Sequence, residues 1–246
     1  MVLKVNDLTG GYSKIPVLKD VSFNVPDKTI AALIGLNGAG KSTTIKHIIG
    51  LLRPLNGEIT INGLSFYKDK QKYLQKIAYI PERPVLYPEL TLKEHIDLTI
   101  MAYNLNYKNT WMYVNDLLNK FRLLNKLDWF PIQFSKGMQQ KVMIICAFIT
   151  NASLYIVDEP FTGLDPLAMD DFLELIINKK NKGSSILMST HILSTAQKYA
   201  DIFILLNQGK IIAEGDMNYL REKFDMKNAS LNDIYLKMIK DTKAND

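Results

Sequence analysis

Gly35-Leu36-Asn37-Gly38-Ala39-Gly40-Lys41-Ser42-Thr43 decides how the rest of this 246-residue chain is read. It follows the apolar β-type run Ile30 to Ile34 and leads into a helical pattern that continues to about Ile49. Strand, glycine-rich turn and helix in that order are the setting of a phosphate-binding loop. Glycines let successive backbone N–H groups turn inward, and a helix N-terminus adds a field that favours negative charge. Asn37, Gly38 and Gly40 would form the nest, Lys41 would reach the outer phosphates, and the Ser42 hydroxyl, beside Thr43, would ligate Mg²⁺. The stretch predicts a nucleoside triphosphate as ligand.

Composition sets the frame for that motif. Hydrophobic residues make up 47% and charged residues 22%, the balance of a folded globular chain. At this length it forms one large α/β domain or a domain with a smaller appendage. No apolar run approaches the length of a membrane-spanning helix. The first residues, Met1-Val2-Leu3-Lys4, carry no secretory pattern, and Cys146 has no second cysteine to pair with, so a reducing cytosolic setting is expected. The net charge of +5 is spread among polar residues, as at Lys68, Lys70, Lys72 and Lys76, and gives no support for nucleic-acid binding.

Working outward from residue 35, short apolar runs recur. Leu3 to Leu8 and Val17 to Val25 read as strands near the start, and Gly57 to Gly63 as another with a turn at Asn62-Gly63. Ile77 to Ile80 is a buried strand stopped by Pro81. The interval from Pro81 to Ser135 is mainly helical: Thr91-Leu92-Lys93-Glu94 has capping-box spacing, and a second helix is expected over Trp111 to Leu124. A third helix begins near Ser135. Strands return at Leu154 to Val157, Ser185 to Met188 and Ile202 to Leu206, with helices between them around Pro166 to Asn178 and Ser194 to Tyr199. That alternation predicts a largely parallel sheet covered by helices. Gln208-Gly209 is a turn before a strand at Lys210 to Ala213, and the tail from Met217 is helical and amphipathic.

Two of these strands end in groups suited to the chemistry of the loop. Leu154 to Val157 runs into Asp158 and Glu159, and buried carboxylates demand a cation or hydrogen-bond donors. Asp158 suits a direct or water-bridged Mg²⁺ contact, while Glu159 is placed to polarise a water that attacks the terminal phosphate. His191 follows Ile186 to Thr190, at the carboxyl edge where open α/β sheets bind ligands. A histidine alone is usually structural or solvated; this position makes it a candidate hydrogen-bond donor to the terminal phosphate.

Phe134-Ser135-Lys136-Gly137-Met138 completes a set that resembles the ATP-binding subunits of ABC transporters over roughly residues 1–215. Residues 35–43 resemble Walker A, 154–159 Walker B, 135–138 a variant signature motif and Gly163-Leu164-Asp165 the D-loop, with His191 as the switch histidine. Tyr12, after Gly10-Gly11, matches the aromatic residue that stacks on adenine. The resemblance implies a P-loop NTPase cassette of α/β class: a RecA-like, mainly parallel core, an antiparallel β subdomain, and a helical signature subdomain inserted at about 83–150. Residues 216–246 would be a C-terminal helical extension. It further implies ATP and Mg²⁺, a head-to-tail dimer in which Ser135, Gly137 and Asp165 act on the partner's nucleotide, and an integral membrane transporter subunit as partner. No nucleic acid is expected. The chain would then lie in the cytoplasm, peripheral on the inner face of the cell membrane.

Two departures narrow the resemblance. Tyr79-Ile80-Pro81-Glu82 places a carboxylate where the family has glutamine; Glu82 only accepts hydrogen bonds and would strengthen a metal contact. Lys136 replaces the first signature glycine. These variants, with Asp7 to Tyr12 and Asp158 to Leu167, are similar to the Ecs-type ATPases of Gram-positive bacteria, which pair with a dedicated membrane subunit and would be exporter-type. Two alternatives stay open: a soluble ABC ATPase acting on nucleic acid or ribosomes, and a regulatory ATPase that hydrolyses poorly.

Overall fold

Five apolar runs form the spine of the molecule because each is short, rich in branched residues and bounded by turn or cap signals. The computed structural model describes residues 1–244 apart from Lys14, Pro160 and Thr162, with 242–244 described as backbone only. Antiparallel β1 (Leu3–Gly10) and β2 (Leu18–Val25) come first, then β3 (Ile30–Ile34) and α1 (Lys41–Ile48). β4 (Asn56–Ile61) and β5 (Leu64–Ser65) are joined by the Asn62-Gly63 turn, both residues at positive φ, and α2 (Lys70–Leu74) precedes β6 (Ile77–Ile80). Then come α3 (Leu92–Ala102), α4 (Tyr107–Lys120) and α5 (Lys136–Phe148). β7 (Leu154–Asp158), α6 (Pro166–Asn181), β8 (Ser185–Ser189), α7 (Leu193–Tyr199), β9 (Ile202–Asn207) and β10 (Lys210–Gly215) complete the alternation. The tail holds α8 (Met217–Lys223) and α9 (Leu231–Ala244).

Among the described residues these strands make two sheets. One is antiparallel, in the order β2-β1-β4-β5, and the other has the order β10-β9-β3-β8-β7-β6. In the second sheet β9, β3, β8, β7 and β6 run parallel, and β10 pairs antiparallel at its edge. Every residue of β3, β7 and β8 is buried, as expected where both faces of a parallel sheet are covered. The mainly parallel core and separate antiparallel sheet expected from the sequence are thus present.

Three apolar clusters cover the sheet faces. α3, α4, α5 and α6 pack on one side through Ile96, Leu117, Phe148 and Phe172; the last two meet edge-on with ring centroids 5.7 Å apart. The antiparallel sheet and α1 cover the opposite face. At the β9–β10 end, α7, α8 and α9 share a third cluster.

Helix boundaries differ from the expected ones in the helical insert and the tail. The Thr91–Glu94 capping box is present, each partner satisfying the other. α4, however, starts at Tyr107 rather than Trp111, because the Asn106 side chain accepts from the Asn109 N–H at 3.0 Å. It ends at Lys120, and 124–126 is a separate 3₁₀ turn. The tail is two helices, broken where Asp225 and Asn228 take positive φ.

Candidate nucleotide site

Four neighbouring parallel strands each deliver one piece of the site at their carboxyl ends. β3 runs into the 35–43 loop, β6 into Pro81-Glu82, β7 into Asp158-Glu159 and β8 into Thr190-His191. That edge is the usual ligand position of such sheets. A cavity of about 880 Å³ opens there, in the size range of small-molecule sites. Its wall includes Tyr12, Gly35, Asn37, Gly38, Gly40, Lys41, Ser42 and Thr43, and on the other side Glu82, Glu159 and His191.

The loop's backbone is one that only glycine adopts freely. Gly38 and Gly40 have φ of +83° and +111°, and Gly40 caps α1 without any side-chain hydrogen bond to its first amides. Those donors are left for an anion. Lys41 is only 7% exposed; its Nζ donates to the Gly35 carbonyl at 2.8 Å and lies 3.8 Å from Glu159 Oε1. Lysine and glutamate are therefore already paired across the cavity.

The two carboxylates are organised by a residue that sequence reading passed over. Asp158 and Ser189 are register partners on β7 and β8, and the Ser189 hydroxyl donates to Asp158 Oδ1 at 2.5 Å. The Glu159 N–H donates to Ser189, at 3.1 Å to its carbonyl and 3.2 Å to its Oγ. Glu159 takes a φ of +47°, which costs a side-chain-bearing residue about 1 kcal/mol or more and needs such anchors. Its Oε2 accepts from the His191 backbone N–H at 3.3 Å and from Nδ1 at 2.7 Å. A carboxylate only accepts, so Nδ1 carries the hydrogen and Nε2 is the ring nitrogen left for another partner. Asp158 itself is buried behind the cavity wall and is not part of its lining.

At the far end Tyr12 is 62% exposed. Lys46 Nζ donates to its hydroxyl at 3.1 Å and lies 5.1 Å from the ring centroid, and this hydrogen bond holds the phenol below the ordinary tyrosine range. Lys46 was not anticipated as a partner. Glu82 is exposed on the opposite rim, next to Pro81, whose carbonyl accepts from Gln140 Nε2 at 3.3 Å. Beneath it the Tyr79 hydroxyl is pushed up, by burial first and then by the charges of Asp158 and Glu82.

Ser135, Gly137 and Asp165 do not line this cavity. Ser135 caps α5, accepting from the Met138 N–H at 3.3 Å. A Cβ at Gly137 would collide with the Gly163 carbonyl oxygen, so the signature-like turn and the 163–165 loop touch within one chain. Asp165 caps α6 and accepts from Lys141 Nζ at 2.8 Å, which holds its carboxyl below the usual range. Pro160 and Thr162, in the same run, lie outside the described residues.

Among the described residues no cluster of three or more His, Cys, Asp or Glu could cage a metal. The oxygens of Ser42, Asp158 and Glu82 are hard donors of the type that hold Mg²⁺ together with substrate phosphates. Among the described residues no helix is long and apolar enough to cross a membrane.

This geometry has close counterparts. The sequence profile of the ABC transporter family matches residues 18–162. The ABC-type transporter ATP-binding protein EcsA of Bacillus subtilis (strain 168) is 54% identical over 240 residues, covering 98% of this chain and 97% of its own. The lantibiotic transport ATP-binding protein SrtF of Streptococcus pyogenes is 36% identical over 214 residues, covering 87% of this chain and 90% of its own. A solved structure of the ATP-binding subunit of an ABC transporter is 51% identical and superposes with a TM-score of 0.95. That superposition covers 97% of this chain and 100% of the other.

Proposed function

This chain belongs to the ABC transporter family as an ATP-binding cassette with ATPase activity, and from that premise we propose that it powers an exporter-type membrane partner of the Ecs kind. Residues 1–215 are the ATPase unit, 83–150 its helical insert and 216–246 an appended extension. The chain sits peripherally at the inner face of the cell membrane, bound to an integral membrane subunit. EcsA and the lantibiotic transport protein SrtF, by their names, support the transport assignment.

The observation that carries the chemical reading is Glu159, held between Lys41 and His191 in the cavity of the glycine-rich loop. Tyr12 stacks on adenine. Asn37, Gly38, Gly40, Lys41 and Thr43 hold the phosphates, and Lys41 exchanges its Gly35 carbonyl for a phosphate oxygen. Ser42 and Asp158, with Glu82 on the rim, would hold Mg²⁺, which neutralises charge on the outer phosphates. Glu159 accepts a proton from the water that attacks the γ-phosphorus, and the bond to the β–γ bridging oxygen breaks. His191, oriented through Nδ1 by Glu159, offers Nε2 toward the γ-phosphate.

Ser135, Gly137 and Asp165 do not line this cavity and serve the nucleotide of a second copy, docked head to tail. The site is therefore shared, and hydrolysis removes the γ-phosphate that joins the two halves. Loss of a general base costs on the order of 10²–10⁴-fold in rate, so Glu159→Gln should bind ATP yet turn it over at least about a hundredfold more slowly. Equal turnover by both forms would refute the role of Glu159. Purification of the tagged chain from solubilised membranes should recover a multi-span protein; recovery of ribosomes or nucleic acid in its place would refute the transporter assignment.

A further inference from the structure

α7, which follows His191 directly, is poorly equipped to stand alone. It spans seven residues, starts at Ile192 without a side-chain cap and contributes one buried residue, Ala196. Helices this short are not stable on their own and depend on tertiary packing. His191 is 65% exposed and its ring is hydrogen-bonded only to Glu159 among the described residues.

The packing comes from the C-terminal helix. α9 buries Leu231, Ile234, Tyr235 and Met238, spaced i, i+3, i+4 and i+7 along one face, in the cluster that contains Ala196 and Ile34. Leu193 and Ala200, near the two ends of α7, pack against the same cluster. A hydrogen bond adds direction: the Leu231 N–H donates to Gln197 Oε1 at 2.7 Å. The start of α9 is itself tied down. Ser230 and Asp233 exchange hydrogen bonds across its first turn, and Arg221 Nε and Lys237 Nζ donate to the carbonyls of Ala229 and Phe224. Tyr235 is 7% exposed, yet with Leu193 it forms part of the cavity wall that also holds Gly35 and His191.

We propose that α9 is a strap that fixes α7 and thereby the place of His191 in the nucleotide site, with Tyr235 as the positioning residue. The assignment rests on the reading of His191 as a γ-phosphate contact. The extension thus acts on hydrolysis rather than on nucleotide capture. Although α9 also packs near Ile34, β3 is held on both sides by its pairing with β8 and β9, so the glycine-rich loop keeps its place when α9 loosens. Among the described residues α7 has no such second support. The Tyr235 ring does the positioning by filling space beside Leu193, so phenylalanine should substitute for it.

The test uses the full chain and measures kcat, KM for ATP and the unfolding midpoint. A displacement of about 1 Å at a catalytic group costs up to ~10²-fold, so Tyr235→Ala should lower kcat about tenfold with KM changed less than about twofold. Tyr235→Phe should restore the rate. Gln197→Ala, which removes the Leu231 bond without opening the core, should lower kcat about threefold at unchanged KM, and it keeps the test open if Tyr235→Ala does not fold. Val25→Ala, buried in the antiparallel sheet, supplies a chain destabilised elsewhere whose kcat should hold. A kcat in Tyr235→Ala and Gln197→Ala no lower than in Val25→Ala, or a rise in KM that accounts for the loss, overturns the strap. His191→Ala separates the two levels: parental turnover there overturns the site reading and the strap together. An inactive His191→Ala beside fully active α9 variants overturns the strap alone.

Discussion

Replacing Ser189 with alanine tests whether one hydroxyl organises both carboxylates, Asp158 and Glu159. Ser189 Oγ donates to Asp158 Oδ1 at 2.5 Å and accepts from the Glu159 N–H at 3.2 Å, and the whole residue is buried. In Ser189→Ala the Glu159 N–H keeps the Ser189 carbonyl at 3.1 Å, so no amide is orphaned. Asp158 loses its donor in a buried setting, which costs about 1–3 kcal/mol. For a chain of this size each kcal/mol shifts Tm by about 2–4 °C, so a fall of roughly 5 °C is expected. Mg-ATP should return part of that loss, because Asp158 then gains the metal as partner; the ATP-induced rise in Tm should therefore be larger in the variant. Freed from one anchor at its strained backbone, Glu159 should also hydrolyse ATP about tenfold more slowly. Differential scanning calorimetry with and without Mg-ATP, alongside steady-state turnover, reads both effects. A variant with parental Tm, parental ligand shift and parental kcat would show that the Ser189 hydroxyl holds neither carboxylate.

Three further outcomes are expected. Glu82→Gln should retain ATPase activity while Glu82→Ala lowers it; identical rates in all three forms would remove Glu82 from the chemistry. Lys136→Gly should weaken ATP-driven association, since in the proposed shared site a lysine at the start of α5 would add attraction to a partner's γ-phosphate; sedimentation of the Glu159→Gln form with ATP measures it, and unchanged association would count against that role. Lys179 is held down to about 8, by burial first and the Lys182 charge second. Between pH 8 and the unfolded value near 10.5 the unfolded chain binds more protons, so stability rises with pH across that window. Parental protein should gain about 1–2 kcal/mol over Lys179→Met between pH 7 and 9.5 in urea unfolding, and a constant difference would contradict the shift.

Much of this was legible because it is local. The glycine-rich loop, the Thr91 capping box and the fully apolar runs of β3, β7 and β8 each declare themselves within a few residues. Asp158, Glu159 and His191 could be placed at strand ends without knowing which strands are neighbours. Ser189 could not be found that way: its partnership with Asp158 exists only because β7 and β8 are adjacent and in register. The amphipathic period of the tail was readable, but the surface it covers, α7, was not, since nothing local to residues 231–238 points to residues 193–200. Lys46 was hidden for the same reason, its partner Tyr12 lying 34 positions away. Conversely, Ser135, Gly137 and Asp165 carried a strong pattern, and one chain does not bring them to its own cavity.

That separation makes the shared site the central claim, and the mass of the Glu159→Gln chain in Mg-ATP tests it most directly. Light scattering should give twice the monomer mass with ATP and the monomer mass with ADP, and Ser135→Glu in the same background should stay monomeric while still binding ATP. A chain that remains monomeric in saturating ATP, or a Ser135→Glu form that dimerises as well as its parent, would contradict it.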